Sequence, residues 1–316
     1  MAPAASSSSL PPLRIGTRGS ALALWQANYV RAELERRGWP ARLEIIATSG
    51  DRYSARLSSM GGKGLFTREI EQALLAARVD LAVHSLKDVP AELPPGLALG
   101  AIPERADPRD VLLAAGGKTL AQLPPGARVG TSSLRRRAQL LALRPELEIV
   151  PLSGNIDTRL RKWRAGEAAA IVLAAAGLLR LDSQQGISEW FDPGVFLPAA
   201  GQGALAIECR ADDAALLERL RALHHAPSAA AAGAERRVLQ ALGAGCQSAL
   251  AVHADSMAEG LRLRARLFSP DGRECLKAEA RGPAPLALGA EVARQLQLQG
   301  AARLLQLGAR PAPSLP

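Results

Sequence analysis

Three short segments of the sequence place hydroxyl, amide and guanidinium groups where a strand is predicted to give way to a helix. The first amides of a helix lack backbone partners and carry the positive end of its dipole, so arginines beside them favour a bound carboxylate or phosphate. N-capping alone would explain a serine or threonine at any one junction. Three such junctions together predict a pocket for several carboxylates, with candidate residues Arg18, Ser20, Ser133, Arg135, Arg136 and Arg159.

A further polar segment, residues 84–90, follows an apolar run at 79–83 that predicts a buried strand. Open α/β sheets bind their ligands beyond the carboxyl ends of the strands. Asp88 beside Lys87 is also typical of an ordinary surface ion pair. If Asp88 instead faces a cleft lined by arginines, its carboxylate can stabilise positive charge that forms on a bound polyacid.

Cys246 follows Gly243, Ala244 and Gly245, three small residues that leave space around its sulfur. An isolated cysteine is most often a small buried apolar residue, but this setting favours an accessible thiol that can be attached to a group. The other cysteines, Cys209 and Cys275, are distant, and the total is odd, which argues against a disulfide framework or a Cys-x-x-Cys site. The four histidines show no ligand spacing, so no metal is expected.

The chain has 316 residues, a formal net charge of +9 and an aromatic content of 3%. Its arginines occur singly or in short clusters, and basic stripes with interleaved aromatic residues, typical of nucleic-acid binders, are missing. Small anions are therefore favoured over nucleic acid. No apolar run reaches the length of about 18 residues that a membrane span needs, and we expect a cytoplasmic protein with no membrane partner.

The elements that must position these residues alternate between strand and helix. Strands are predicted at 13–16, 43–47 and 79–83, with helices at 21–37 and 65–77. The same alternation resumes at residue 127 and continues to residue 174. The pattern predicts two similar α/β lobes, with a crossing between them near residues 103–110.

A strand within 197–210 is predicted to return the chain to the first lobe. A smaller third domain is predicted from a helix at 234–242, an alternating strand at 261–268 and a helix from residue 286. The predicted division is a disordered leader at 1–12, domain 1 at 13–103 and 204–223, domain 2 at 104–203, domain 3 at 228–309, and a loose tail at 310–316.

Seven ordered segments carry a family resemblance: RIGTRGSALALWQA, GGKGLFTREIE, DLAVHSLKDVP, GTSSLRRRAQL, GNIDTRL, LPAAGQGALAIECR and GAGCQ. Together they closely resemble the porphobilinogen deaminase family, from near residue 13 to about residue 252. The resemblance implies an α/β protein of three domains, of which the first two resemble a two-lobed periplasmic-binding-protein fold and the third is a small α+β domain.

The resemblance also implies a transferase of porphyrin (haem) biosynthesis that condenses four porphobilinogen molecules into hydroxymethylbilane and releases ammonia. It implies a dipyrromethane cofactor, held in a thioether to Cys246, and it implies that Asp88 is the catalytic carboxylate. Every pyrrole carries an acetate and a propionate, which accounts for the arginines. The implied cofactor-binding residues are Lys87, Asp88, Ser133, Arg135 and Arg136, and the implied substrate-binding residues are Arg18, Ser20, Arg159 and Arg180.

One position departs from the family pattern. Ser153 stands before Gly154 and Asn155, where the family usually has an arginine. A serine cannot supply that charge, so we expect either slower elongation or a replacement of the charge by a neighbour such as Arg161 or Arg164. The alternative function is a non-catalytic, two-lobed binding protein for a small polycarboxylate, which would need the arginine pocket but neither Asp88 nor Cys246. In either case we expect a monomer.

Overall fold

The structure is a computed structural model that describes residues 11–49, 66–245 and 248–309. Three of the sequence-based predictions fall wholly or partly outside these residues: Cys246, residues 1–10 of the leader predicted at 1–12, and the loose tail predicted at 310–316. The expected α/β architecture of two similar lobes and a smaller third domain is confirmed.

The first lobe is a five-stranded sheet made of β1 (Leu13–Thr17), β2 (Ala41–Ile45), β3 (Leu81–Ser85), β4 (Leu97–Ala101) and β10 (Leu205–Arg210). Its strand order is β2-β1-β3-β10-β4, in which β1 is parallel to β2 and β3, and β10 is antiparallel to both neighbours. Strand β3 is buried almost throughout because helices cover both faces of the sheet. The helices packed on it are α1 (Ala21–Glu35), α2 (Arg68–Leu75) and α6 (Ala214–Leu220).

The second lobe repeats this plan with β5 (Asp110–Ala114), β6 (Arg128–Gly130), β7 (Glu148–Val150), β8 (Ala170–Ala174) and β9 (Ile187–Trp190). Its order is β7-β6-β8-β5-β9, with β6 parallel to β7 and β8, and β5 antiparallel to β8 and β9. Each strand of one lobe therefore has a counterpart at the same place in the other. The helices of this lobe are α3 (Leu134–Leu143), α4 (Ile156–Arg164) and α5 (Ala175–Arg180).

Two crossing segments join the lobes, one over residues 102–109 and one over residues 191–204. They run side by side, since the Ala106 amide donates a hydrogen bond to the Gly203 carbonyl over 3.2 Å. Gly203 has φ of +88°, and a Cβ there would collide with the carbonyl oxygen of Ala106. The close approach of the two crossings therefore requires glycine at this position.

The third domain is an antiparallel sheet of β11 (Leu250–Met257), β12 (Gly260–Phe268) and β13 (Cys275–Gly282), with helices α7 (Ala226–Leu242), α8 (Pro285–Leu298) and α9 (Ala301–Ala309). The buried residues of β12 alternate with more exposed ones, so one face of the sheet joins the helices in a common core. The other face is left to the charged side chains of β12 and β13.

Several predicted elements differ in their bounds from the observed ones; the strand predicted at 43–47, for example, is Ala41–Ile45, and two further differences are larger. The helix predicted at 234–242 begins at Ala226, because a proline in its first turn is compatible with a helix start and the alanines that follow favour its continuation. The strand predicted within 197–210 covers Leu205–Arg210, and the residues before it form turns of the second crossing. Among the described residues, no helix is both long and apolar enough to cross a membrane.

Candidate functional site

Asp88 lies at the carboxyl end of β3, in a short 3-10 turn over Leu86–Asp88. Leu86 is buried and its amide donates to the Ala204 carbonyl over 3.0 Å, which anchors the turn to the second crossing. Asp88 itself is exposed and lines a small pocket of about 60 Å³. Arg18 and Ser20 line the same pocket, so the first junction and Asp88 lie together.

The first junction connects β1 to α1. The Ser20 hydroxyl caps α1 by accepting from the Ala23 amide over 3.4 Å. The Arg18 guanidinium lies 4.1 Å from the centre of the Phe66 ring, a cation–π contact that holds the arginine at the pocket wall. Both candidate residues therefore stay half-buried beside Asp88, where a small anionic group would meet them.

The second junction connects β6 to α3, which is capped by the Ser133 hydroxyl at 3.4 Å from the Arg136 amide. Arg135 and Arg136 are both buried, and both bind the carboxylate of Asp110 at 2.7 Å. Burial by itself would raise the pKa of Asp110, but the two guanidinium groups hold that pKa well below its usual range. One carboxylate thus fixes two cations and leaves a net positive charge.

Both guanidinium groups keep donors for a ligand. Arg135 donates once to Asp110 and once to the Leu197 carbonyl. Arg136 donates twice to Asp110 and once to the Val172 carbonyl. Since each guanidinium has five N–H groups, neither arginine is saturated by its bonds to the described residues.

The third junction leads into α4, whose first turn is capped by Asn155, which accepts from the Thr158 amide over 2.9 Å. The Nε of Arg159, in the same helix, is buried and has no hydrogen-bond partner among the described residues. Burial and the guanidinium of Arg136 lower the pKa of Arg159 to about 10, and the Asp88 carboxylate opposes that shift. Arg159 of the third junction therefore lies close enough to Arg136 of the second junction and to Asp88 for their charges to act on it.

Lys87 lies half-buried beside Asp88, with its Nζ 3.4 Å from Oε1 of Gln202. Burial and the guanidinium of Arg136 lower the pKa of Lys87 to about 8, against the raising effect of Asp88. Gln202 is fully buried in the second crossing, and its Nε2 donates to the Pro108 carbonyl over 2.7 Å. Lys87 is thus placed by a residue that bridges the two crossings.

Arg180, at the end of α5, contacts the opposite lobe. Its Nη2 donates to the Gly203 carbonyl over 2.8 Å, and its guanidinium lies 5.6 Å from the Trp25 ring of α1. Trp25 stacks on Tyr29 with ring centres 5.7 Å apart. Burial lowers the pKa of Arg180 to about 10. These contacts place Arg180 across the cleft between the lobes.

Cys246 lies outside the described residues, but the structure shows where its loop begins and ends. Helix α7 ends at Gly243, which has φ of +61°. The Ser248 amide donates to the Gly245 carbonyl over 2.9 Å, and the Gly245 amide donates to the Ser248 hydroxyl over 3.3 Å. These two bonds join the described residues on either side of positions 246 and 247.

Comparison with known proteins supplies the family. The family model for "Porphobilinogen deaminase, dipyromethane cofactor binding domain" matches residues 13–218, and the model for the C-terminal domain of the same enzyme matches residues 229–297. The chain belongs to the porphobilinogen deaminase family.

Curated members of the family are similar over nearly their whole length. The porphobilinogen deaminase of Brevibacillus brevis is 51% identical over 297 residues, which cover 92% of this chain and 96% of that protein. The Paraburkholderia phytofirmans enzyme is 52% identical over 303 residues, covering 93% and 89% of the two chains. Among solved structures, a periplasmic substrate-binding protein from Coxiella burnetii matches with a TM-score of 0.42 and 15% identity, covering 69% of this chain and 95% of that one.

The residues of this porphobilinogen deaminase family member fit a dipyrromethane group. The matched domain is the one that binds that cofactor, and its pyrrole carboxylates need cationic donors. Lys87, Arg136 and Arg159 supply positive charge around Asp88, and the buried Nε of Arg159 is a donor without an acceptor among the described residues. The donor set of this site therefore suits a polycarboxylate.

Two contributors to the site of this deaminase were missed by the sequence analysis, Asp110 and Gln202. The signal for Asp110 was an acidic residue that opens an apolar run, and the signal for Gln202 was a polar side chain between two glycines. Neither sequence feature indicates which distant residues these two side chains contact. Among the described residues, no cluster of three or more His, Cys, Asp or Glu side chains could hold a metal ion.

Proposed function

We propose that this protein is an active hydroxymethylbilane synthase, which condenses four porphobilinogen molecules into hydroxymethylbilane and releases ammonia. The observation that carries the proposal is the meeting of Asp88 with cations from both lobes, namely Lys87, Arg136 and Arg159. An exposed carboxylate within a basic cleft can act on a substrate whose own carboxylates are held by the surrounding cations.

Asp88 is the proposed catalytic residue. Loss of ammonia from porphobilinogen and attack by a pyrrole both generate positive charge and move protons. The Asp88 carboxylate stabilises that charge and exchanges protons with the reacting atoms. The 3-10 turn at the end of β3 holds this carboxylate at the pocket, and the buried Leu86 keeps the turn in place.

The arginines are proposed to bind and orient the pyrrole carboxylates. A guanidinium remains charged at any physiological pH and binds a carboxylate through two parallel N–H groups. Arg18 and Ser20 are proposed to bind a substrate carboxylate at the first junction. Arg159 and Arg180 are proposed to bind further carboxylates across the cleft. Asp110 is proposed as a positioning residue, because it is fully buried and holds both Arg135 and Arg136.

Attachment of the dipyrromethane cofactor at Cys246 completes the proposed site. When bound, this group supplies the terminal pyrrole to which each porphobilinogen is joined. Lys87, Ser133, Arg135, Arg136 and Asp88 are its proposed binding residues. In the sequence Cys246 stands between the end of α7 and the start of β11, so the proposed covalent attachment belongs to the third domain, whereas the proposed cationic binding residues belong to the two lobes.

The intact mass of the purified protein under denaturing conditions tests the proposal first. A thioether survives unfolding, whereas a bound ligand does not, so we expect an added mass of two linked pyrroles. The same measurement on Cys246→Ala should show the unmodified chain, and Cys275→Ala is the matched control that keeps the added mass. An unmodified wild-type chain after incubation with porphobilinogen would favour the non-catalytic binding protein.

Asp88→Asn tests the catalytic role. Removing the charge and the proton exchange should lower turnover by about 10²- to 10⁴-fold, the usual contribution of a general acid–base group. Asp212→Asn, at an exposed aspartate of the first lobe, makes the same chemical change away from the pocket and should leave turnover intact. Normal turnover in Asp88→Asn would contradict the assignment.

The remaining features of the proposal concern the setting of the enzyme. We propose a cytoplasmic, monomeric protein that acts on a small molecule without nucleic-acid or membrane partners. We also propose the division of the chain predicted from its sequence, with domain 1 at 13–103 and 204–223, domain 2 at 104–203 and domain 3 at 228–309. Light scattering at several protein concentrations would test the monomer, and a constant mass of one chain is the expected result.

A further inference from the structure

A second basic pocket lies on the third domain. Its volume is about 430 Å³, and it shares no lining residue with the pocket beside Asp88. Its charged wall is the outward face of β12 and β13, and the lining is completed by Ala265, Ala278, Gly194 of the second crossing and Gln295 of α8. Cavities of a few hundred cubic ångströms are the usual size of small-molecule sites.

The alternation of β12 creates the charged wall. Leu261, Leu263 and Leu267 are buried against the helices of the third domain. The residues between them point to the opposite face of the sheet, since side chains alternate along a strand. That face therefore carries three arginines in a row, Arg262, Arg264 and Arg266.

Two of these arginines have carboxylate partners. Arg262 binds Glu279 at 2.8 Å, and Arg264 binds Asp255 at 2.6 Å. These pairs hold their guanidinium groups in place along the pocket. They also leave little charge to be neutralised at that end of the wall.

The other end of the wall has no such compensation. Arg266 lies directly opposite Lys277 in the register of β12 and β13. Within the described parts of the chain, neither of them forms a salt bridge, and Arg266 instead donates to the carbonyls of Gly194 and Val195. Like charges directly opposite each other destabilise an antiparallel sheet. An anion held between them would remove that cost.

The pocket also lies at a junction between domains. Arg264 donates to the Pro193 carbonyl over 3.3 Å, and the bonds from Arg266 reach the next two residues of the same segment. This segment follows β9 and belongs to the second crossing. A ligand in the pocket would therefore contact the third domain and the crossing together.

We propose that this pocket is a second anion site, which binds a small multivalent carboxylate or phosphate anion and strengthens the contact between the third domain and the second crossing. Guanidinium groups bind both kinds of anion through paired N–H donors, and the facing lysine adds a point charge. The site is independent of the proposed catalytic residues, so it goes beyond the proposed function.

Titration calorimetry of the full-length, cofactor-loaded protein tests this site, with inorganic pyrophosphate and citrate as separate probes. We expect saturable binding of at least one probe, and the stronger of the two identifies the anion chemistry. Lys277→Gln should weaken that binding at least fivefold, because it removes an uncompensated cation. Lys118→Gln changes the net charge equally at an exposed lysine of the second lobe and should bind like wild type.

Arg159→Gln separates this site from the proposed substrate site. Probe binding should keep its wild-type affinity in Arg159→Gln and weaken at least fivefold in Lys277→Gln, while Lys277→Gln retains turnover of porphobilinogen. No saturable binding by wild type, equal affinity in the two lysine variants, or loss of binding in Arg159→Gln would each overturn the proposal. Failure of the proposed function would instead be seen in the mass and turnover experiments.

Discussion

At the scale of single residues, Asp110 determines how the second junction presents its arginines. Its carboxylate is fully buried and binds both Arg135 and Arg136. Two guanidinium groups packed so closely would repel each other without it. The basic character of the site thus depends on an acidic residue placed behind the cations.

Replacement of that acid should be costly. Asp110→Asn leaves two buried cations without their charged partner, and breaking a buried ion pair typically costs about 3–5 kcal/mol of unfolding free energy. Urea denaturation would measure this loss. Glu148→Gln, which removes an exposed carboxylate of the same lobe, should change stability little, and an equal loss in both variants would contradict the argument.

Lys87 predicts a pH dependence of cofactor loading. Its pKa is lowered to about 8, chiefly by burial, so the lysine is charged below that pH and loses its charge as the pH rises through it. Loading of the apo chain, followed by intact mass, should therefore become slower above about pH 8. Lys87→Arg keeps its charge throughout and should remove this fall. Identical profiles would mean that another group is responsible.

Ser153 predicts a gain rather than a loss. It is half-buried next to Gly154 at the third junction, where an arginine would add a cation for the growing chain. Ser153→Arg should therefore speed the later additions. The distribution of enzyme-bound intermediates, resolved by mass, is the measurement, and Ser153→Gln is the uncharged control of similar length. An unchanged distribution in both variants would show that the missing charge does not matter.

At the scale of elements, the two crossings depend on a glycine. Gly203 and Gly116 both have positive φ, but a Cβ at Gly203 would collide with the Ala106 carbonyl, whereas no atom lies within 4 Å of one at Gly116. Gly203→Ala should therefore cost clearly more than the ~1 kcal/mol expected from the backbone conformation alone. Gly116→Ala should cost about that smaller amount. Denaturant unfolding of both variants separates the collision from the conformational effect.

At the scale of the whole molecule, Glu235 of α7 joins the third domain to both crossings. It binds Arg105 of the first crossing at 2.7 Å and accepts from the Gly201 amide of the second over 2.6 Å. Within its own domain it accepts from the Ala254 amide over 2.8 Å. The third domain and both crossings are therefore joined by this buried carboxylate.

This carboxylate predicts how the molecule responds to acid. Burial opposes ionisation, yet Arg105 and His253 lower the pKa of Glu235 to about 2. A lowered pKa contributes stability that is present above the unfolded value, near pH 4.5, and is lost as the pH falls toward 2. Glu235→Gln should lower stability at neutral pH and flatten its acid dependence in that window. Glu218→Gln, at an exposed glutamate, should leave the acid dependence unchanged.

By itself, the sequence determined the family, the α/β class and the places where strands give way to helices. These features depend on neighbouring residues, namely caps, glycines and apolar spacing, which can be identified along the chain. Ser20, Ser133 and Asn155 cap the helices that follow the three junctions. The roles assigned to Asp88, Cys246 and the arginines stay predictions until the variants are measured.

Only the tertiary structure decided which charges meet. Arg135 is 25 residues from Asp110, and Arg105 is 130 residues from Glu235. The paired charges of the third-domain pocket likewise depend on the register of β12 and β13. Which ionisable groups lie together depends on which positions are buried, and burial is set by the packing of the entire chain, so no local pattern could have predicted these partners.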